Sequence, residues 1–172
     1  MKSNRILRIF IILVILSITV GCDQVSKKIV REKLADYQTI NLIRNHFIIE
    51  KAENTGAFLS LGDAASKPMR IIFLNVIPLA LILASLFYIL IKTNINRYTL
   101  LAIIFMIGGG IGNIYDRIVH GSVTDFLYID FGIFHTGVFN VADLFITVGI
   151  SIILIQSWLK RKPAVDIQHI EE

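Results

Sequence analysis

Residues 71–91, IIFLNVIPLALILASLFYILI, decide the fold, because Asn75 and Pro78, with the small Ser85, are the interruptions in 21 otherwise apolar positions. A helix rises about 1.5 Å per residue, so about 20 such residues cross the roughly 30 Å hydrocarbon layer of a bilayer. Proline is tolerated in a span when neighbours satisfy the freed carbonyl. The same ruler, laid along the chain, finds three more spans, at about 9–29, 98–118 and 138–158. Each carries polar residues at one end. The apolar run 9–22, IFIILVILSITVGC, covers only about 21 Å, so a crossing helix must take in Asp23 and reach about residue 29. The third span is apolar from 98 to 111 and must continue through Asn113, Asp116 and Arg117. The fourth opens on Asn140 and Asp143 and ends at Trp158, an interfacial belt residue followed by the basic stop Lys160, Arg161, Lys162.

Composition agrees with a bilayer as the solvent. Of 172 residues 55% are hydrophobic and only 17% charged, more apolar surface than one soluble core buries. The formal charge of +4 fits cytoplasmic anchoring, and with no basic run interleaved with aromatics the chain is not expected to bind nucleic acid. A single cysteine, Cys22, makes neither an internal disulfide nor a zinc site. The expected fold is an all-α membrane protein, a single domain over 1–172. It has four transmembrane helices, a small extracytoplasmic β-rich cap at about 36–66 between helices 1 and 2, and a flexible tail at 163–172. The cap rests on the short β-branched and aromatic runs of TINLIRNHFIIEKAENTGAFLSL, broken by Arg44-Asn45-His46 and Asn54-Thr55-Gly56 as a hairpin would be.

Segments 2–8, 92–97 and 160–162 together hold eight Lys and Arg, whereas 121–137 holds none, which places both termini in the cytoplasm. The 23–68 connection opposes this with seven, but it is long and acidic enough to form its own structure. At the amino terminus Lys2, Arg5 and Arg8, a short apolar run and Val20-Gly21-Cys22 imitate a lipoprotein signal peptide. The three later spans and the continuing VSKKIV pattern favour an intact first helix, which mass analysis of the terminus would establish.

Charged groups near a bilayer core cost several kcal/mol, so each needs a partner or a purpose. In GGGIGNIYDR, 108–117, the glycines let a neighbouring helix approach closely, and Asn113 and Asp116 share a helix face. Their plain reading is structural, with Asp116 paired to Arg117 or to another span's cation and Asn113 bridging helices. VTDFLYID and FNVADLF differ, since neither Asp125 nor Asp143 has a basic residue within four positions. By position alone Asp143 divides evenly between a first-turn helix acid and a catalyst.

Paired carboxylates suit peptide hydrolysis. Two acids a few ångströms apart share one proton, so one can act as base on a water while the other polarises the carbonyl. Rival chemistries are poorly supplied: no zinc spacing, no G-x-S-x-G elbow, and no Lys inside a span to activate Ser122 or Ser60. His120 and His135 are expected to be solvated or hydrogen-bonded.

These motifs resemble, in order and over nearly the whole chain, those of the lipoprotein signal peptidase (signal peptidase II) family: DQVSK at 23–27, ENTGAF at 53–58, GGGIGNIYDR at 108–117, TDF at 124–126 and FNVAD at 139–143. The resemblance implies an intramembrane aspartyl endopeptidase of the bacterial inner membrane, working near its outer face. It would cut prolipoproteins just before a diacylglyceryl-modified cysteine. Asp125 and Asp143 would be its catalytic pair. Asn54, Asn113, Arg117 and Asn140 would bind substrate; Asp23, Asp116, Gly56, Gly109 and Gly112 would support the site. It implies no cofactor and no metal. The expected partners are the lipidated substrate and membrane lipids, with the protein a monomer. The alternative from the residues themselves is a small proton- or cation-coupled transporter subunit, which would thread polar groups through the middle of its spans rather than gather them at one end.

Overall fold

The computed structural model describes residues 5–35, 38–43, 46–56 and 66–160. Four helices are long and apolar enough to cross a membrane. The first, α1, is Arg5–Lys33; the second is built from α2, Lys67–Ile71, a π-helical turn, Ile72–Val76, and α3, Ile77–Ile91; α4 is Arg97–Val119 and α5 is Val141–Lys160. The π-turn ends at Val76, just ahead of Ile77 and Pro78, and the proline's missing N–H and bulky ring disturb the hydrogen-bond ladder one turn back.

The described residues also form three strands: β1, Thr39–Asn41, β2, Phe47–Asn54, and β3, Val123–Ile129, in the order β1-β2-β3 and all antiparallel. The expected hairpin between the first two spans is present, and it takes a third strand from the connection before α5. That strand was hidden in the sequence because its partner lies far earlier in the chain, and β3 is buried on both faces from Val123 to Leu127. The tail 163–172 and cap residues 36–37, 44–45 and 57–65 lie outside the described residues, as does Ser60.

α4 is the central span and packs against α1, α3 and α5. Its inner core is almost wholly isoleucine: Ile12 of α1, Ile82 and Ile89 of α3, Ile104, Ile107 and Ile114 of α4. Side chains such as Phe10, Phe87 and Trp158 point outward, where lipid supplies the apolar contact. With no hydrophobic drive between helices in lipid, close packing must hold them together, and small residues permit it. A Cβ on Gly109 would run into the backbone oxygen of Ala142 and the side chain of Ile146 in α5; one on Gly112 would meet the Asp23 carboxylate of α1.

The bundle has two distinct ends. At one, Arg8 donates to the Lys92 carbonyl at 2.9 Å, so the start of α1 and the end of α3 lie together. At the other sit the sheet and all the interfacial acids singled out above. Because the obstacle at Gly109 is backbone, Gly109→Ala is expected to lower the thermal midpoint of the purified protein, by overpacking of about 1–3 kcal/mol. Gly21→Ala, whose Cβ meets nothing within 4 Å, should leave it unchanged.

Candidate active site

The site begins with how α5 starts. Phe139 pairs with Leu127 of β3, its N–H donating to the Leu127 carbonyl at 2.8 Å and its carbonyl accepting from the N–H groups of Phe126 and Leu127. This bridge delays the helix to Val141, three residues past the start expected from the sequence, and leaves Asn140 as the capping residue. Asn140 Oδ1 accepts from the Asp143 N–H at 3.0 Å, and Asp143 Oδ2 accepts from the Asn140 N–H at 3.2 Å. The pair is a reciprocal capping box. The N–H between them, on Ala142, donates to Asp23 Oδ1 of α1 at 2.9 Å. The first turn's orphan donors are thus largely satisfied by the site itself.

Asp125 comes from the opposite direction, on β3. Between Ile49 and Ala52 the β2–β3 ladder shifts register by a bulge, after which Ala52 stands opposite Asp125 and Asn54 opposite Val123. Asn54 Nδ2 donates to Asp125 Oδ2 at 2.9 Å, and Asn140 Nδ2 donates to Asp125 Oδ1 at 2.6 Å. Asn113 Nδ2 of α4 donates to Asp143 Oδ1 at 2.8 Å, and Asn113 Oδ1 accepts from Asn140 Nδ2 at 3.2 Å. One residue, Asn140, therefore bonds both carboxylates, that of Asp125 through its side-chain amide and that of Asp143 through its backbone N–H. Asp125, Asp143, Asn54, Asn113 and Asn140 form one connected network, as the sequence grouped them.

Arg117 holds the open edge. Its Nη2 donates to the Gly56 carbonyl at 2.8 Å, while the Gly56 N–H donates to Asn54 Oδ1 at 2.9 Å, so Gly56 links the arginine to Asn54. Arg117 lies within electrostatic reach of Asp125 and Asp143. Burial pushes the Asp125 carboxyl up from its ordinary value to about 6; the Asn54 hydrogen bond opposes this, the Asp143 charge adds to it, and the Asn140 bond opposes it.

Behind the asparagines lies a residue missed by the sequence reading. Lys27 is fully buried, its ammonium 2.8 Å from Asp23, 3.0 Å from Asp116 and 3.0 Å from Asn113 Oδ1. The expectation that no span contains a lysine is corrected, since α1 runs continuously to Lys33. Lys27 engages acids, however, and no serine. Arg31, one turn on, pairs with Asp116 at 2.9 Å and donates to Thr124 Oγ1 at 2.7 Å. Asp116 thus pairs with another span's cations rather than with its neighbour Arg117. The i, i+4 spacing of Asp23 and Lys27 hints at one of its ion pairs, but the inward placement against Asp116 shows only in the fold. Ser122 donates to Glu53 at 2.5 Å, and His120 contacts Arg31 at 3.0 Å.

Fold and site together define a multi-pass membrane protein with a carboxylate and amide centre at one end of its bundle. The family model for Signal peptidase (SPase) II matches residues 13–159, and the chain belongs to that family and is a peptidase. The lipoprotein signal peptidase of Clostridioides difficile (strain 630) is 38% identical over 141 residues, 82% of this chain and 88% of that protein. That of Maridesulfovibrio salexigens is 33% identical over 150 residues, 84% and 92% of the two chains. Two solved structures titled as a bacterial membrane enzyme superpose with TM-scores of 0.78 and 0.73 at 24% and 25% identity. They cover 95% and 90% of this chain and 96% of each of theirs. The transporter alternative finds no support.

Removing Lys27 would leave Asp23 and Asp116 facing each other without their shared cation. Lys27→Ala is expected to destabilise the protein by about 3–5 kcal/mol, the usual result of stranding a buried charge. Thermal unfolding in detergent measures this; a midpoint equal to wild type would show that the network carries no stability.

Proposed function

We propose that the chain removes signal peptides from diacylglyceryl-modified prolipoproteins, cutting before the lipidated cysteine with Asp125 and Asp143 as an aspartyl pair. The observation that carries this reading is the bonding of both acids to Asn140. Their charges point the same way: the two acids and Arg117 sum to one excess negative charge, which a single proton shared by the pair cancels. Asp125, with its carboxyl pushed up to about 6, carries that proton and polarises the scissile carbonyl. Asp143 takes a proton from the attacking water. The oxygen of that water bonds to the carbonyl carbon, and collapse of the tetrahedral intermediate returns a proton to the leaving amine.

Asn54 and Arg117 line the side from which a peptide would arrive, and Asn113 and Asn140 hold the acids while presenting amide groups to its backbone. An apolar furrow of about 250 Å³ between α3, α4 and α5, lined by Leu81, Ile82, Met106, Gly110 and Ile146 among others, offers a surface for acyl chains or a signal-peptide helix. The protein works as a monomer in the bacterial inner membrane with its termini in the cytoplasm. The Arg8–Lys92 contact supports this by keeping basic segments on the side away from the acids.

Asp125→Asn and Asp143→Asn each keep the side-chain shape and one of two acceptor oxygens, and one oxygen on residue 143 is enough for the Asn140 N–H of the capping box, so the fold is retained while the acid is lost. Each is expected to lower cleavage of a lipidated prolipoprotein by roughly 10²–10⁴-fold, with the thermal midpoint close to wild type. Substantial cleavage by either purified variant would sink the assignment.

The pH profile tests who holds the proton. The Asn54 hydrogen bond favours the charged form of Asp125, so Asn54→Ala raises its pKa further. Activity that needs protonated Asp125 is lost as pH rises through that value, and the alkaline limb of kcat/KM should therefore move to higher pH. An unmoved limb would assign the proton elsewhere.

A further inference from the structure

A basic cavity lies beside the site, and of its cations only Arg117 enters the proposed reaction. It encloses about 410 Å³ at the outer ends of the second span and α4, lined by Thr55, Lys67, Arg70, Asn75 and Arg117 with apolar Ile71, Leu74 and Ile118. Three cations face one pocket. Arg117 is held by Gly56, but Lys67 and Arg70 have no carboxylate partner among the described residues. Two lining residues also carry buried polar atoms that lack a hydrogen-bond partner, Asn75 Oδ1 and Arg117 Nε. Cations without a carboxylate partner among the described residues, beside an unused Arg117 N–H donor, form a wall suited to an anion, whereas the Asn75 oxygen calls for a donor instead.

Depth in the bilayer identifies the occupant. Lys67 and Arg70 stand at the start of the second span, where the headgroup layer begins, and Ile71 and Leu74 lie up to a turn or so further in. A ligand for this pocket has negative charge at interface level and a hydrocarbon part below it. The substrate class proposed above has no phosphate on its diacylglyceryl group, so the lipidated cysteine leaves these charges unmatched. We propose that the pocket binds one anionic phospholipid, its phosphodiester between Lys67 and Arg70 and its acyl chains against Ile71, Leu74 and Ile118. Bound there, the lipid lies beside Arg117 and so beside the catalytic centre.

The test uses the full chain in nanodiscs of phosphatidylcholine with increasing phosphatidylglycerol. Native mass spectrometry of protein released from the discs counts the lipid retained. Wild type should keep one phosphatidylglycerol in preference to phosphatidylcholine. In Lys67→Gln/Arg70→Gln that preference should fall by roughly tenfold or more, since each interfacial cation contributes on the order of a tenfold factor or slightly less. Cleavage of a lipidated substrate in pure phosphatidylcholine should be alike for both proteins. Equal lipid retention by the two would overturn the proposal. So would saturation of the site by inorganic phosphate alone, which would make it a free-anion site. It would equally fall if the double variant kept its lipid and lost cleavage only of substrates with an acidic residue after the cysteine, because the cations would then read the peptide. None of these outcomes depends on which aspartate carries the shared proton.

Discussion

A lysine ammonium with no solvent exposure, placed where a helix leaves the hydrocarbon, is an expensive group that only close anionic partners can keep charged. Lys27 has two, and each of them bonds onward. Asp23 reaches the Ala142 N–H at the start of α5; Asp116 receives the Thr124 N–H of β3 at 3.4 Å and pairs with Arg31. One cation in α1 thereby ties together α4, α5 and the strand that carries Asp125. With Asp23 and Asp116 set against Lys27 and Arg31, the network is formally neutral. Its charges balance formally, yet the network still reaches the site: burial raises the Asp125 carboxyl, while the Asn54 and Asn140 hydrogen bonds and the Lys27 ammonium hold it down.

The same ammonium orients an amide. Asn113 Oδ1 accepts from Lys27 and from Asn140, so Asn113 Nδ2 is the end turned toward Asp143. An asparagine is nearly symmetric in shape, and without a donor on one side it could turn either way. Here the donors on its oxygen fix the choice. Positioning thus passes from a structural ion pair through one amide to a candidate catalytic carboxylate. A capping box performs the matching task along the chain, since Asn140 and Asp143 bond each other's backbone. Of the two readings of Asp143 from its position, the capping box shows the helix acid, and the proposed catalytic role would fall to the same side chain.

Much of the fold was legible because a bilayer imposes a length ruler, and the four spans fell near their expected places. The sheet was only half legible. Its β1–β2 hairpin is local and left turn signals at 44–46 and 54–56, whereas β3 pairs with β2 across a long separation and is nearly all buried, so VTDFLYID shows no alternation. The grouping of Asp125, Asp143 and the asparagines followed from family motifs, because hydrogen bonds such as Asn54 to Asp125 join residues whose spacing carries no periodic signal. Lys27 was missed for a different reason. A lysine just past an apolar run is ordinarily a snorkelling anchor, and only the three-dimensional placement of Asp116 shows that this one points inward.

The resemblance of the first helix to a lipoprotein signal now has a physical resolution. Cys22 is exposed and sits in the middle of α1, a helix unbroken from Arg5 to Lys33. Cleavage before it would require the surrounding turn to unwind, exposing amide groups that have no other partner in the bilayer. The residues that follow are also those the site depends on: Asp23 caps α5, Lys27 holds Asn113, and Arg31 binds Thr124. A true signal peptide is joined to its cargo by a segment that can be drawn out and extended. Here that segment is anchored at successive turns to α5, α4 and β3, contacts that drawing it out would break.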